Sequence, residues 1–154
     1  MTPLRPRLLV LALLAAALAP RGAQAHPHIQ VETETQIIHD EAGQVAGFVH
    51  VWTFDEMYSS FAIQGLDSNG DGQFSREELA ELTRVNVEHL GERKFFTFMR
   101  HERRHVSFGP VRDAWTEVAG GRVRLHFAVP LVTPFKAAGK PVTLEIYDPD
   151  YFVA

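Results

Sequence analysis

The chain has 154 residues, with 15 Lys and Arg against 19 Asp and Glu, 45% hydrophobic composition and no cysteine. A net charge of −4 argues against nucleic acid and anionic membrane surfaces as partners. Without cysteine there is no disulfide, thiolate metal site or thiol nucleophile, so transition-metal chemistry must use histidines and carboxylates.

Residues 1–25 carry Arg5 and Arg7, an apolar run over residues 8–19, then Pro20, Arg21 and Ala23-Gln24-Ala25. This is the pattern of a Sec signal peptide cleaved after Ala25, and the run is shorter than the roughly 20 residues that span a bilayer. Cleavage removes Arg5, Arg7 and Arg21 and no acid, leaving residues 26–154 as one domain with 12 basic and 19 acidic side chains. The expected compartment is the periplasm or the exterior.

His26-Pro27-His28 then becomes the new amino terminus. The free amine and imidazole of His26, with the imidazole of His28, suit zinc, nickel or copper. A solvated terminus is the alternative. Ile29, Val31, Thr33, Thr35 and Ile37 alternate with polar residues, residues 40–43 form a turn and residues 45–53 return as a second strand.

Residues 67–78 place oxygen-bearing groups at the positions of an EF-hand calcium loop. Asp67, Asn69 and Asp71 fill positions 1, 3 and 5, Gly72 turns at 6, Gln73 offers its carbonyl at 7, Ser75 sits at 9 and Glu78 closes at 12. Thr53 with Glu56 and Ser75 with Glu78 read as capping boxes, and Trp52 and Met57 as a hydrophobic staple. Phe54, Met57, Phe61 and Ala62 form one predicted helix stripe, and Leu79, Leu82, Thr83, Asn86 and Leu90 another. The expectation is an EF-hand-like helix, loop and helix over residues 54–91. With three acidic ligands and no second loop, affinity should be on the order of 10⁻⁵ to 10⁻³ M. An ordinary Gly- and Asp-rich turn that binds no metal is the alternative.

Strands are predicted over residues 95–99, 106–108, 111–118, 123–129 and 142–147, with residues 130–141 as a loop. The fold class is therefore α+β: an antiparallel β-sheet domain carrying the inserted helix-loop-helix. His101-Glu102 and His105 match the His-Glu-x-x-His string of zinc proteases, which works only on a helix. Their aromatic, alternating context before Gly109-Pro110 predicts a hairpin instead. His50 reads as a packed histidine and His126 as a surface one. Asp148 and Asp150 read as a turn, with a metal ligand as the other possibility. Three readings follow: a calcium-binding, non-enzymatic metal accessory protein, a calcium-dependent interaction module, and a zinc hydrolase using His101, Glu102 and His105.

His26-Pro27-His28, the run from Trp52 to Glu56 with Tyr58 and Ser59, the Asp-rich loop, Phe95 to Phe98, Leu125-His126-Phe127 and Tyr147-Asp148-Pro149-Asp150 with Tyr151 and Phe152 together resemble a bacterial periplasmic family known as domain of unknown function 1007. The likeness covers nearly all of residues 26–154. It implies a secreted accessory component of an uncharacterised transport system, found alongside nickel/cobalt or zinc permeases, and so metal handling with a membrane permease as partner. It also implies relatives that continue past the Tyr-Asp-Pro block.

Overall fold

A computed structural model describes residues 29–150. The strands are β1 (Val31–His39), β2 (Val45–Phe54), β3 (Thr97–His101), β4 (Arg104–His105), β5 (Arg112–Ala119), β6 (Arg122–Phe135) and β7 (Val142–Ile146). The helices are α1 (Glu56–Ala62) and α2 (Ala80–Glu92). A four-stranded antiparallel sheet runs β1-β2-β6-β5 and a three-stranded one β4-β3-β7. The fold is α+β, as the alternating strands and the helical stripes predict.

Period-two patterning makes the core. On one face of the larger sheet Phe48, His50, Trp52 and Phe54 of β2 lie beside Val123, Leu125, Phe127 and Val129 of β6, all buried. The second sheet and the turn before it close over this face with Phe95, Phe96 and Met99. The opposite face is polar: Arg122 pairs with Glu32 at 3.0 Å, and Arg124 lies 3.7 Å from Glu34 and 3.6 Å from Glu117.

His50 is fully buried among Phe48, Trp52 and Phe127. The Thr97 hydroxyl donates to the Phe95 carbonyl at 2.7 Å, so it accepts from His50 Nε2–H at 3.1 Å. Nδ1 therefore accepts from the Thr35 hydroxyl at 2.8 Å. Both ring nitrogens are satisfied, and desolvation lowers the imidazole pKa to about 4. This link also holds a left-handed turn, because Lys94, Phe95 and Phe96 have φ of 53°, 55° and 47°. Each such residue costs roughly 1–2 kcal/mol, offset here by burial of both phenylalanines.

Several expectations are corrected. The strand expected over residues 106–108 is reduced to an isolated bridge from Phe108 to Leu131, and the one expected from residue 95 starts at Thr97, because residues 94–96 form the left-handed turn. Thr53 does not cap α1, because it stays in β2 and pairs with Glu32 and Arg124; Asp55 is the N-cap and accepts from Tyr58 N at 2.8 Å. Trp52 and Met57 form no staple: Trp52 is in the core while Met57 and Phe61 are 67% and 78% exposed. The face of α1 turned to the sheet carries Ser59, whose Oγ accepts from Val123 N at 2.9 Å. A small polar side chain there lets the helix approach the start of β6. Residues 130–135, expected in a loop, extend β6 instead. Pro130 pairs opposite Gly47, where an added Cβ would lie 2.7 Å from the Val129 carbonyl oxygen.

Candidate functional site

The predicted calcium loop lies between α1 and α2. Turns carry the chain on from α1, with Ile63 N bonded to Ser59 O and Leu66 N to Ile63 O. The helices are joined by Tyr58 Oη donating to Asn86 Oδ1 at 3.1 Å. On α2 the predicted stripe is the buried one: Leu79 is fully buried, and the hydroxyls of Thr83 and Thr116 lie 2.7 Å apart, fixing the helix to β5.

Inside the loop the side chains fold back on the backbone, as Asx residues do in turns. Asp67 Oδ1 accepts from Gly70 N at 2.8 Å and Oδ2 from Gly72 N at 3.0 Å. Asn69 Oδ1 accepts from Asp71 N at 2.8 Å. Asp71 Oδ1 accepts from Gln73 N at 2.7 Å, and Oδ2 from Asn69 Nδ2 at 3.1 Å. Gly70 and Gly72 take φ of 73° and 77°, where a Cβ would be strained.

Ser75 and Glu78 form the reciprocal capping box. Glu78 Oε2 accepts from Ser75 N at 2.9 Å, and Ser75 Oγ from Glu78 N at 3.2 Å. The Ser75 hydroxyl also donates to Oε2, and both the amide and the hydroxyl of Ser68 donate to Oε1 at 2.8 Å. These bonds, the Ser75 amide first and then the Ser68 hydroxyl, pull the exposed carboxyl down to about 2.

Asp67, Asn69 and Asp71 present the hard oxygen donors that calcium prefers, each oxygen accepting one hydrogen bond and keeping a lone pair. Glu78 is different: each of its oxygens already accepts two donors. Among the described residues no group of three or more His, Cys, Asp or Glu side chains converges as a metal cage. Calcium would have to draw Glu78 away from Ser68 to complete its shell. Ser68, at loop position 2, is a residue that the ligand spacing does not single out.

A second unforeseen feature ties the loop to the sheet. The Arg76 guanidinium lies 4.0 Å over the Trp115 ring of β5. Trp115 stacks on His126 of β6 at 3.8 Å and 4°, and His126 Nε2 bonds Glu117 Oε1 at 3.0 Å. His126 is thus on the outer face, as expected, but half-covered. No local period links residues 76, 115 and 126, so only the fold brings them together.

His26 and His28 lie outside the described residues. His101 and His105 are on strands joined by the two-residue turn Glu102-Arg103, with His101 opposite Arg104 and Arg100 opposite His105. The two histidines leave opposite faces of the hairpin, and the helix that zinc proteolysis requires is absent from this segment. Asp148 is buried and accepts from Asp150 N at 2.9 Å, while Asp150 pairs with Arg93 at 2.6 Å. Among the described residues no helix is long and apolar enough to cross a membrane.

An uncharacterized protein of Haemophilus influenzae (strain ATCC 51907 / DSM 11121 / KW20 / Rd) is similar, with 28% identity over 134 residues, covering 86% of this chain. The chain spans 63% of that relative's length. No solved structure matches significantly. The family described as "Protein of unknown function (DUF1007)" matches residues 11–154, and the chain therefore belongs to that family.

Proposed function

We propose that this chain is an exported, non-enzymatic accessory protein of transition-metal (zinc, nickel or cobalt) transport or homeostasis, which holds calcium in an EF-hand-like unit. The observation that carries the calcium part is the donor array of residues 67–78, already curled by Asx hydrogen bonds on two left-handed glycines. Asp67, Asn69, Asp71, Ser75 and Glu78 would supply side-chain oxygens and Gln73 its carbonyl, matching calcium's taste for six to eight oxygens. The ion would fix the loop between two helices anchored to each other and to the sheet, stabilising the domain by mass action.

The transition-metal part rests on His26 and His28 as residues, on the absence of cysteine, and on the resemblance that links such proteins to membrane metal permeases. Calorimetric titration of calcium into the protein and its Asp67→Ala variant tests the first part. Saturable heat in the parent that disappears in the variant supports it; identical titrations sink it. Removal of residues 26–28 tests the second part, since unchanged stoichiometric binding of zinc, nickel and copper would refute a role for them.

A second reading, a calcium-dependent interaction module with no transition-metal role, is favoured by the exposed apolar pair Met57 and Phe61 on α1 beside the loop. Under it, substitutions in the loop or at Met57 and Phe61 disturb partner binding, whereas removal of residues 26–28 does not.

A further inference from the structure

The hairpin of β3 and β4 carries three arginines that form no ion pair with a described carboxylate. Arg84, Arg93, Arg122 and Arg124 each have a carboxylate within 4 Å. Arg100, Arg103 and Arg104 have no ion pair among the described residues. The hairpin's own acid, Glu102, is held by Lys140, which lowers its pKa, with weaker pulls from His101 and Arg104. In a chain with net charge −4, this is a local excess of cations.

The turn itself is strained. Glu102 and Arg103 take φ of 50° and 67°, the left-handed pair of a two-residue hairpin turn that Asn-Gly or Gly-Gly fills without cost. Non-glycine residues held in left-handed backbone cost strain of a kind that clusters at functional sites. Beside the turn lies an open groove of about 320 Å³ between the hairpin and the end of β6, lined by Arg104, His105, Ser107, Thr133 and Phe135. The groove lies within the size range of small-molecule sites, roughly 300–1,000 Å³. His101 forms a further wall, its ring stacked on Phe135 at 4.0 Å. The Ser107 and Thr133 side chains make no hydrogen bond to a described residue, so they remain open to a ligand oxygen.

We infer that this groove binds an oxyanion, the phosphate or carboxylate group of a small molecule. Arg104, on the same hairpin face as His101, supplies a planar fork suited to two anion oxygens, the two hydroxyls supply further donors, and Phe135 with the stacked His101 ring, whose buried Nε2 has no partner among the described residues, forms the floor. Metal binding is disfavoured here, because His101 and His105 leave opposite faces of the hairpin and Glu102 is engaged by Lys140.

The test is an NMR titration of the protein with inorganic phosphate and, separately, citrate, at constant ionic strength, following the His101 imidazole, which stacks on Phe135 in the groove. The expected result is a saturable shift with at least one of them, weakened about tenfold in Arg104→Gln, as loss of a charge-assisted hydrogen bond implies. Arg112→Gln, removing a cation of the other sheet with no ion pair among the described residues, should leave affinity unchanged. Arg104 is exposed, so its replacement spares the fold. Saturation by phosphate identifies a phosphoryl ligand, and saturation by citrate alone a polycarboxylate. No saturable shift with either, or equal affinity in Arg104→Gln, overturns the proposal.

Discussion

His50→Gln should flatten part of the pH dependence of stability. The native imidazole is fully buried and neutral, with its pKa lowered from 6.5 to about 4 by desolvation. As the pH falls through 6.5, the unfolded chain takes up a proton that the native state refuses until about pH 4. The unfolded state then binds more protons, so stability falls with pH across that window. From those two values, His50 alone removes about 2 kcal/mol between pH 7 and pH 5. Glutamine offers one acceptor towards Thr35 and one donor towards Thr97, so it retains the hydrogen bonds while abolishing the titration. Urea unfolding of both proteins at the two pH values isolates the effect, because contributions from other groups cancel in the difference. The parent should lose about 2 kcal/mol more than the variant. Equal losses, or an NMR titration of His50 near 6.5, would refute the account of a desolvated histidine.

Three further outcomes are expected. Ser68→Ala removes one of the two Ser68 donors on Glu78 Oε1 and should tighten calcium binding about two- to tenfold by calorimetry, within the range of a hydrogen bond to a charged group discounted for exposure; weaker binding would show that Ser68 supports the bound state. Calcium should change the emission of Trp115 through the Arg76 stack, and Arg76→Met should abolish that change while leaving a calorimetric calcium signal; a response that survives in Arg76→Met would remove the stack from the pathway. Leu79→Ala should cost about 2–5 kcal/mol, whereas Met57→Ser and Phe61→Ser should each stay within about 0.5 kcal/mol; a large loss in either of the latter would mean that the exposed face of α1 is covered.

Most of the longer strands are legible because one buried face leaves a period-two record: Phe48, His50, Trp52 and Phe54 alternate with less buried residues; the short β4 at Arg104–His105 and the lone bridge at Phe108 leave no such record. The buried stripe of α2 was legible for the same reason at helical period. The start of α1 is ambiguous in the sequence because two capping signals overlap. Thr53 and Asp55 both suit an N-cap, and the β ladder, a tertiary feature, claims Thr53. The inward face of α1 is not legible from hydrophobic periodicity, because Met57 and Phe61 stay exposed while Ser59, whose Oγ accepts from Val123 N, takes the close contact. The extension of β6 through Pro130 was hidden because proline normally ends a central strand. At the candidate site, the ligand spacing of residues 67–78 was readable, whereas the grip of Ser68 on Glu78 and the stack of Arg76 on Trp115 depend on folded geometry.

Elemental mass spectrometry of the exported, processed protein, equilibrated with calcium, zinc, nickel and copper together, bears most directly on the central claim. The account predicts one equivalent of calcium, lost in Asp67→Ala, and one equivalent of a transition metal, lost when residues 26–28 are removed. A protein that retains no calcium under these conditions would contradict it.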